Sequence, residues 1–332
     1  MAQTLVVMPD DSAKPILDAI GAAAKSLRIK MFNLTDPGIL TALVKAHKRK
    51  VKIRVMLNPA RRRGEIQNKG SRSLLTEAGI DVLDGNPAFG VTHEKSMVVD
   101  DAAAYVGSLN WEPETFTKTR DFGVMTTDLA EVAEVIECFE ADWSRQHFNP
   151  RQPSNLIWCP ENGRERIAEF IDGAQHSLFV QNDRYQDAII VEHLVRAKIR
   201  GVKVHVMARP SHSMREEKLT EGTGDLRIMR DVGIGVHKIK HRRLHAKMLL
   251  ADKSRAIIGS INLSTGSFDK RRELAIRLNE RAVLDRLIKV VRDDWEHSHE
   301  IDLSDQGILK DLESHNKQGG LTRVPSSTGI AP

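Results

Sequence analysis

The sequence has few cysteines and no long hydrophobic segment. Its 332 residues include two cysteines, Cys138 and Cys159, which excludes a disulfide framework and fits a reducing compartment. No apolar run approaches the roughly 18 residues that a membrane-spanning helix needs. Residues 1–11 also lack the basic and apolar segments of a signal peptide. The sequence therefore predicts a cytoplasmic protein, either free or peripheral to the inner face of the membrane.

Aromatic residues are scarce, and the excess of positive charge is small. Phe, Trp and Tyr make up 5% of the chain, and 50 Lys and Arg residues face 45 Asp and Glu residues, for a net charge of +5. Such an excess favours an anionic partner but does not distinguish nucleic acid from phospholipid or a phosphorylated metabolite. With 40% apolar residues the composition is that of a globular protein, and the length predicts two domains of about 150 residues.

The chain contains two copies of one pattern. Residues 5–10 correspond to residues 156–161, and residues 51–56 correspond to residues 202–207, both at a shift of 151 residues. Apolar residues that recur every three or four positions predict two helices in each copy. These helices are predicted at residues 15–25, 39–47, 165–175 and 189–200. Segments with alternating apolar residues separate them and predict strands, and this order predicts parallel strand pairing.

The repeat predicts the division of the chain. We expect an α/β protein made of two similar α/β sandwich halves, residues 1–148 and 149–308, packed with pseudo-twofold symmetry. Residues 148–155 contain two prolines and little apolar material, which is typical of a linker. Residues 309–332 are rich in glycine and small polar residues and predict a flexible C-terminal tail.

Both halves carry the same polar residues at identical intervals. The first set is His93, Lys95, Asp100, Gly107, Ser108, Asn110 and Asp121; the second is His245, Lys247, Asp252, Gly259, Ser260, Asn262 and Glu273. A single His-x-Lys-x-x-x-x-Asp match is expected about 0.05 times by chance in a chain of this composition. Two matches, each followed by Gly-Ser-x-Asn at one distance, do not arise by chance.

The residue types favour the binding of an oxyanion. A histidine and a lysine two positions apart share one face of a strand, and the lysine cation would repel a metal ion. Serine and asparagine supply neutral hydrogen-bond donors, and the glycine permits close approach of the backbone to a ligand. If the halves face each other, the two sets can surround one phosphate group.

The paired His-x-Lys-x-x-x-x-Asp motifs resemble the signature of the phospholipase D superfamily, over about residues 5–300. The resemblance implies a phosphodiester reaction through a covalent phosphohistidine, with no metal or other cofactor. It implies that His93 is the nucleophile and His245 the general acid. Lys95, Lys247, Asn110 and Asn262 would hold the nonbridging oxygens, assisted by Ser108 and Ser260. Asp121 and Glu273 would orient the histidines, while Asp100 and Asp252 would be structural members of the motif.

Several of these residues have a plainer interpretation. Asp121 and Glu273 could pair with the arginines that precede them, Arg120 and Arg272, and Asp100 and Asp252 could anchor turns. The other histidines are interpreted as ordinary residues. Three basic stretches could line the rims of a cleft or form a solvated face: Arg61–Arg63 with Lys69 and Arg72; Arg209, Arg215 and Lys218; and Lys238, Lys240, Arg242 and Arg243. A core position is favoured for Trp111, which could also form a pocket wall, and Trp143 and Trp295 are interpreted as packing residues.

Two enzymatic functions remain open at this level. The first is phospholipid hydrolysis or phosphatidyl transfer, and the alternative is cleavage of DNA or RNA by the same chemistry. The scarcity of aromatic side chains weakens both, since lipid and single-stranded nucleic acid both use aromatic contacts. A non-enzymatic binding module is disfavoured because both sets of polar residues are complete. One chain carries both motifs, so a monomer without an obligate protein partner is expected.

Overall fold

A computed structural model of the chain describes residues 2–59, 66–213 and 216–316. The described residues of the first half form eight strands: β1 (Gln3–Met8), β2 (Ser26–Met31), β3 (Lys52–Leu57), β4 (Asp81–Asp84), β5 (Val91–Thr92), β6 (Lys95–Val99), β7 (Ala103–Gly107) and β8 (Thr119–Thr126). Its helices are α1 (Lys14–Ala22), α2 (Pro37–Lys48), α3 (Lys69–Glu77), α4 (Thr115–Lys118) and α5 (Leu129–Trp143).

The second half repeats this sequence of elements with additions. Its strands are β9 (Leu156–Cys159), β10 (Ser177–Asn182), β11 (Tyr185–Gln186), β12 (Lys203–Met207), β13 (Gly235–Ile239), β14 (Arg243–Leu244), β15 (Lys247–Ala251), β16 (Arg255–Gly259), β17 (Leu263–Ser264), β18 (Arg271–Leu278) and β19 (Ser298–Glu300). Its helices are α6 (Gly163–Asp172), α7 (Ala188–Ile199), α8 (Glu216–Asp231), α9 (Thr265–Lys270), α10 (Arg281–Glu296) and α11 (Asp305–Asn316), with a 3₁₀ turn at Ser211–Ser213.

The two sheets have the same strand order. The first runs β1-β8-β7-β6-β2-β3-β4, and the second runs β9-β18-β16-β15-β10-β12-β13, extended at its edge by β19. The prediction of two α/β halves is confirmed. Parallel pairing holds for β2 with β3 and β10 with β12, whereas β6 and β15 run antiparallel to their neighbours, so both sheets are mixed.

Each sheet is buried on both faces. In β1, Val6 and Met8 point towards α1–α3, whereas Leu5 and Val7 point into a core that both sheets share, because successive side chains of a strand face opposite sides. This shared core also contains the apolar sides of α5 and α10. A third core lies between the second sheet and α6–α8. The halves are therefore joined by a continuous apolar interface.

Two short strands cross between the halves. β5 belongs to the first half but pairs in parallel with β18 of the second, and β14 of the second half pairs in parallel with β8 of the first. β5 ends at Thr92 and β14 ends at Leu244, so each crossing strand ends directly before a motif histidine. The fold therefore places each histidine at the edge of the other half's sheet.

The C-terminal residues differ from the prediction of a flexible tail. Residues 309–316 continue helix α11, and Asp311 of this helix accepts hydrogen bonds from the backbone N and Nδ1 of His212. Leu303 and Ile308, which precede this segment, are buried, and Asp311 supplies the polar contact within it. Residues 317–332 lie outside the described residues. Across residues 2–59, 66–213 and 216–316, no helix has the length and apolar character needed to cross a bilayer.

Candidate active site

The crossing strands carry the two motif histidines to one place. The backbone N of His93 donates to the carbonyl of Arg272, 2.9 Å away, and the backbone N of His245 donates to the carbonyl of Arg120, 3.1 Å away. The charges of His245 and Lys247 act on His93, so the two motifs converge on one site between the halves.

Each histidine is held by a carboxylate from the opposite half. Nδ1 of His93 lies 2.8 Å from Oε2 of Glu273, and Nδ1 of His245 lies 2.9 Å from Oδ1 of Asp121. Both carboxylates are fully buried. With Nδ1 bound to an acid, the nitrogen available for chemistry on each ring is Nε2. The sequence indicated that these acids orient histidines, but not that the pairs cross between the halves.

The preceding arginines pair elsewhere, so the plainer interpretation of the two acids is wrong. Arg120 bonds Asp294 of α10, with N–O distances of 2.9–3.1 Å. Arg272 bonds Asp142 of α5, with a nitrogen–oxygen distance of 3.0 Å. These arginines are buried and fasten the strands that carry the acids to helices of the shared core. The repeat carried a signal for these partners, since Asp142 and Asp294 each precede a tryptophan near the end of a half.

The motif lysines are buried beside their own histidines. Lys95 Nζ donates to the carbonyl oxygen of His93 at 2.5 Å, and Lys247 Nζ donates to the carbonyl oxygen of His245. Burial lowers the pKa of Lys95 to about 7, against the opposing effect of the Glu273 carboxylate. Lys95 is therefore a cation that becomes neutral near pH 7 unless an anion binds beside it.

The motif serines lie behind the histidine–acid pairs. Ser108 is fully buried and donates to Asp121 Oδ1 at 2.6 Å, while it accepts from the backbone N of Phe122. Ser260 is also fully buried and accepts from the backbone N of Leu274. This differs from the phosphate contact that the resemblance implied, because each hydroxyl is already bonded to the strand that carries the orienting acid. A positioning role fits both serines better.

The motif asparagines keep an oxygen without a partner. Oδ1 of Asn110 and Oδ1 of Asn262 are buried and have no hydrogen-bond partner among the described residues. Nδ2 of Asn110 donates to Glu112 at 3.2 Å, a contact that the sequence did not indicate. The two residues are 7% and 3% exposed, so both amides are largely enclosed by protein.

The motif aspartates lie away from the histidines, in hairpin turns. Asp100 accepts from the backbone N of Ala24, Lys25 and Ser26, and Asp252 accepts from that of Gln175, His176 and Ser177. Their φ angles are both 53°, a left-handed conformation that aspartate tolerates better than most residues. Each aspartate therefore ties the β6–β7 or β15–β16 turn to the start of a neighbouring strand.

The motif glycine allows two strands to approach. A Cβ atom on Gly259 would lie 2.3 Å from the carbonyl oxygen of Leu274 and 2.4 Å from Cα of Ala275, which no side chain can occupy. The close approach is thus to strand β18 rather than to a ligand, which corrects the interpretation from the sequence.

Part of the basic rim is neutralised. Arg209 lies 3.8 Å from Asp183, Arg242 lies 3.5 Å from Asp10, and Arg243 lies 3.6 Å from Glu114. Lys238 lies 3.6 Å from Asp311. Arg61–Arg63 and Arg215 lie outside the described residues, as does the side chain of Lys218. Trp111 is fully buried, as the sequence predicted.

A second cluster of charged side chains lies behind the site. Ligand atoms of Glu94, Cys138 and Asp142 all lie within 4.8 Å of one another, close enough for metal ligation. However, the Lys30 ammonium already occupies this cluster, at 2.9 Å from Glu94 and 2.7 Å from Asp142. The pKa of Lys30 is raised because Asp142, Cys138 and Glu94 together outweigh the effect of burial. The cluster is therefore a buried ion network that joins α5 to strand β2 and to Glu94, the residue before β6.

The two histidine–acid pairs differ electrostatically. Burial and the adjacent Lys95 hold the pKa of His93 well below its usual range, and burial raises the pKa of its partner Glu273. Burial also lowers the pKa of His245, but the Asp121 charge opposes this effect. Although burial alone would raise the pKa of Asp121, His245 and Lys247 lower it overall. His245 therefore holds a proton more strongly than His93 does.

The site and the fold define a class of protein. A family described as "Cardiolipin synthase, PLD-like domain" matches residues 16–143 and again residues 167–295. The chain belongs to the phospholipase D superfamily, as the paired motifs predicted.

Similar proteins carry different names. The chain is 23% identical over 282 residues to "Polyphosphate kinase" of Klebsiella pneumoniae, covering 80% of this chain and 40% of that protein. It is 33% identical over 137 residues to "Mitochondrial cardiolipin hydrolase" of Homo sapiens, covering 41% of this chain and 51% of that protein. The crystal structure of phosphatidylserine synthase from Haemophilus influenzae Rd KW20 matches with a TM-score of 0.71 at 10% identity, covering 96% of this chain and 93% of that one.

The extent of these matches limits what they support. The chain spans about half the length of the curated relatives it matches. The structural match shows a common fold.

Proposed function

We propose that the protein is a phosphodiesterase that cleaves or exchanges a phospholipid ester through a phosphohistidine. The observation that carries the proposal is the pair of histidine–carboxylate contacts that cross between the halves. Each contact occupies Nδ1 and leaves Nε2 of the histidine for chemistry, beside a buried lysine. A phosphate diester between the two rings has one histidine available to attack phosphorus and one to protonate the leaving oxygen.

The electrostatic difference between the pairs supports one assignment of roles. A nucleophilic imidazole must be neutral, and His93 has the more strongly lowered pKa. A general acid must carry a proton, and Asp121 favours the protonated form of His245. His93 is therefore the proposed nucleophile and His245 the proposed acid.

The reaction then has two balanced steps. Nε2 of His93 bonds to phosphorus while the bond from phosphorus to the leaving oxygen breaks, and that oxygen takes the proton of His245. In the second step water or an alcohol attacks phosphorus and passes its proton to His245. The electron pair of the phosphorus–nitrogen bond returns to His93. Lys95 and Lys247 would stabilise the charge that develops on the nonbridging oxygens.

The pH profile follows from these shifts. The active form needs neutral His93, protonated His245 and charged Lys95, and the pKa of Lys95 is about 7. We expect kcat/KM to be highest below pH 6.5, between the two lowered histidine pKa values. It should fall as His245 loses its proton and fall further as Lys95 loses its charge near pH 7. Initial rates on a soluble diester between about pH 4.5 and about pH 9 would measure this profile. A kcat/KM that still rises above about pH 7 would contradict the assignment.

The lipid substrate class is proposed from the relatives. The matching family and the human relative carry names that refer to cardiolipin. Since both catalytic sets lie in one chain, a monomer suffices for this activity.

The test compares substrates with EDTA present. We expect head-group release from phosphatidylglycerol or phosphatidylcholine vesicles without cleavage of single- or double-stranded DNA. Cleavage of DNA without lipid turnover would make the protein a nuclease. Phosphate transfer from polyphosphate without diester cleavage would make it a phosphotransferase, and either result would overturn the lipid proposal.

A further inference from the structure

The symmetry of the site is broken at one position beside the motif lysines. In the first half, strand β2 pairs Met31 with Lys95, and in the second half strand β10 pairs Asn182 with Lys247. The residues that follow Met31 and Asn182 therefore occupy equivalent positions in the two halves. They are Phe32 in the first half and Asp183 in the second.

The two equivalent residues create different surroundings. The Phe32 ring lies 4.8 Å from the His93 ring, and Lys95 Nζ lies 5.0 Å from its centroid. Asp183 instead forms an ion pair with Lys247, with Nζ 3.0 Å from Oδ1. The first half therefore offers an apolar wall to a diester, while the second offers a carboxylate.

Asp183 is placed to accept a hydrogen bond from a ligand. Its side chain is 5% exposed, against 9% for that of His93, and Oδ1 is itself buried, so a ligand can reach the carboxylate only through the small part of the side chain that is exposed. No described residue donates a hydrogen bond to its Oδ1, and the Lys247 ammonium approaches as an ion pair without hydrogen-bond alignment. Although burial opposes ionisation, Lys247 and His245 hold the pKa of Asp183 far below its usual range. The carboxylate is thus ionised and can only accept.

The surrounding charge selects the kind of donor. Two cations, Lys247 and Arg209, lie beside the single carboxylate of Asp183, so the local charge is positive. An ammonium group would be repelled, whereas an uncharged hydroxyl could donate to the carboxylate without this penalty.

We propose that Asp183 forms a subsite for a hydroxylated, uncharged alcohol that leaves from, or attacks, phosphorus on the His245 side of the cleft. This inference rests on the proposed function, because it needs the phosphohistidine on His93. Phe32 then faces the part of the diester that stays on phosphorus. An alcohol bound at Asp183 attacks phosphorus, its proton passes to His245, and the phosphorus–nitrogen bond returns its electrons to His93.

The test measures how the phosphohistidine partitions between acceptors. The enzyme turns over bis(4-nitrophenyl) phosphate with glycerol, 1-propanol or choline at equal concentrations, and each alcohol diester is quantified against the water product, 4-nitrophenyl phosphate. We expect wild-type protein to prefer glycerol over 1-propanol and choline by about tenfold or more, as a hydrogen bond to a charged group predicts. The preference should fall to about one in Asp183→Ala and to an intermediate value in Asp183→Asn, which keeps a neutral acceptor.

A matched control is Asp187→Asn, which changes another buried aspartate of the same half, one that pairs with Arg164. It should keep the wild-type glycerol preference. A wild-type preference near one, or an unchanged preference in Asp183→Ala, would overturn the inference while 4-nitrophenol release still supports the proposed function. Absence of 4-nitrophenol release from wild-type protein would overturn both.

Discussion

Replacement of either His93 or His245 by alanine is expected to reduce steady-state turnover by at least about 10⁴-fold, because each removes a group that the reaction cannot replace. The two variants should differ in the first turnover. His93→Ala lacks the nucleophile and should release no 4-nitrophenol from bis(4-nitrophenyl) phosphate. His245→Ala retains it, and 4-nitrophenol is a good leaving group, so this variant should release about one equivalent per enzyme and then stop.

Rapid-mixing kinetics and phosphoprotein detection measure this difference. The His245→Ala protein should accumulate a covalent phosphoryl group that acid removes, as expected for phosphohistidine. The exposed His176 provides the matched control, and His176→Ala should retain wild-type turnover. A burst in His93→Ala but not in His245→Ala would reverse the two roles, and near-normal turnover by either variant would disprove the mechanism.

The second large effect is expected at the carboxylates that cross between the halves. Asp121→Asn should lower kcat/KM by about 10²- to 10⁴-fold, because an amide no longer stabilises the imidazolium form of His245. Glu273→Gln should have a smaller effect, about 10- to 100-fold. Burial already favours the neutral form of Glu273, so the amide removes less charge there.

The pH profile separates this role from simple structural damage. Without the Asp121 charge, the pKa of His245 falls further, so Asp121→Asn should move the alkaline limb of kcat/KM to lower pH. Asp101→Asn is the control, since Asp101 is exposed in the β6–β7 turn with a φ of 57° that asparagine also tolerates. It should keep both the rate and the profile. Loss of activity in Asp121→Asn without any shift of the alkaline limb would contradict the role of the Asp121 charge in holding the proton of His245.

Strand geometry alone disfavours one of the interpretations that the sequence left open. Arg120 and Asp121 are adjacent on a strand, and adjacent strand residues face opposite sides of the sheet. An ion pair between them is therefore unfavourable, and the same reasoning applies to Arg272 and Glu273. The difference between Phe32 and Asp183 is also visible in the repeat. That these two residues lie at equivalent positions beside the motif lysines is known only from the strand register at Lys95 and Lys247.

Other features depended on contacts between distant parts of the chain. Ser108 follows a strand that ends near the site, so the sequence favoured a phosphate contact, but the fold turns its hydroxyl to Asp121. The ordering of residues 309–316 depends on His212, which lies about 100 positions earlier and carries no local signal for this contact.

The sequence by itself determined the repeat, the paired motifs and the class of chemistry, because these depend on residue identity and on spacing along the chain. Only the tertiary structure decided that His93 pairs with Glu273, and His245 with Asp121. The residues of the first pair are 180 positions apart and those of the second 124. The physical reason is that β5 and β14 satisfy their backbone hydrogen bonds on the opposite sheet, and no local propensity specifies such pairing between halves.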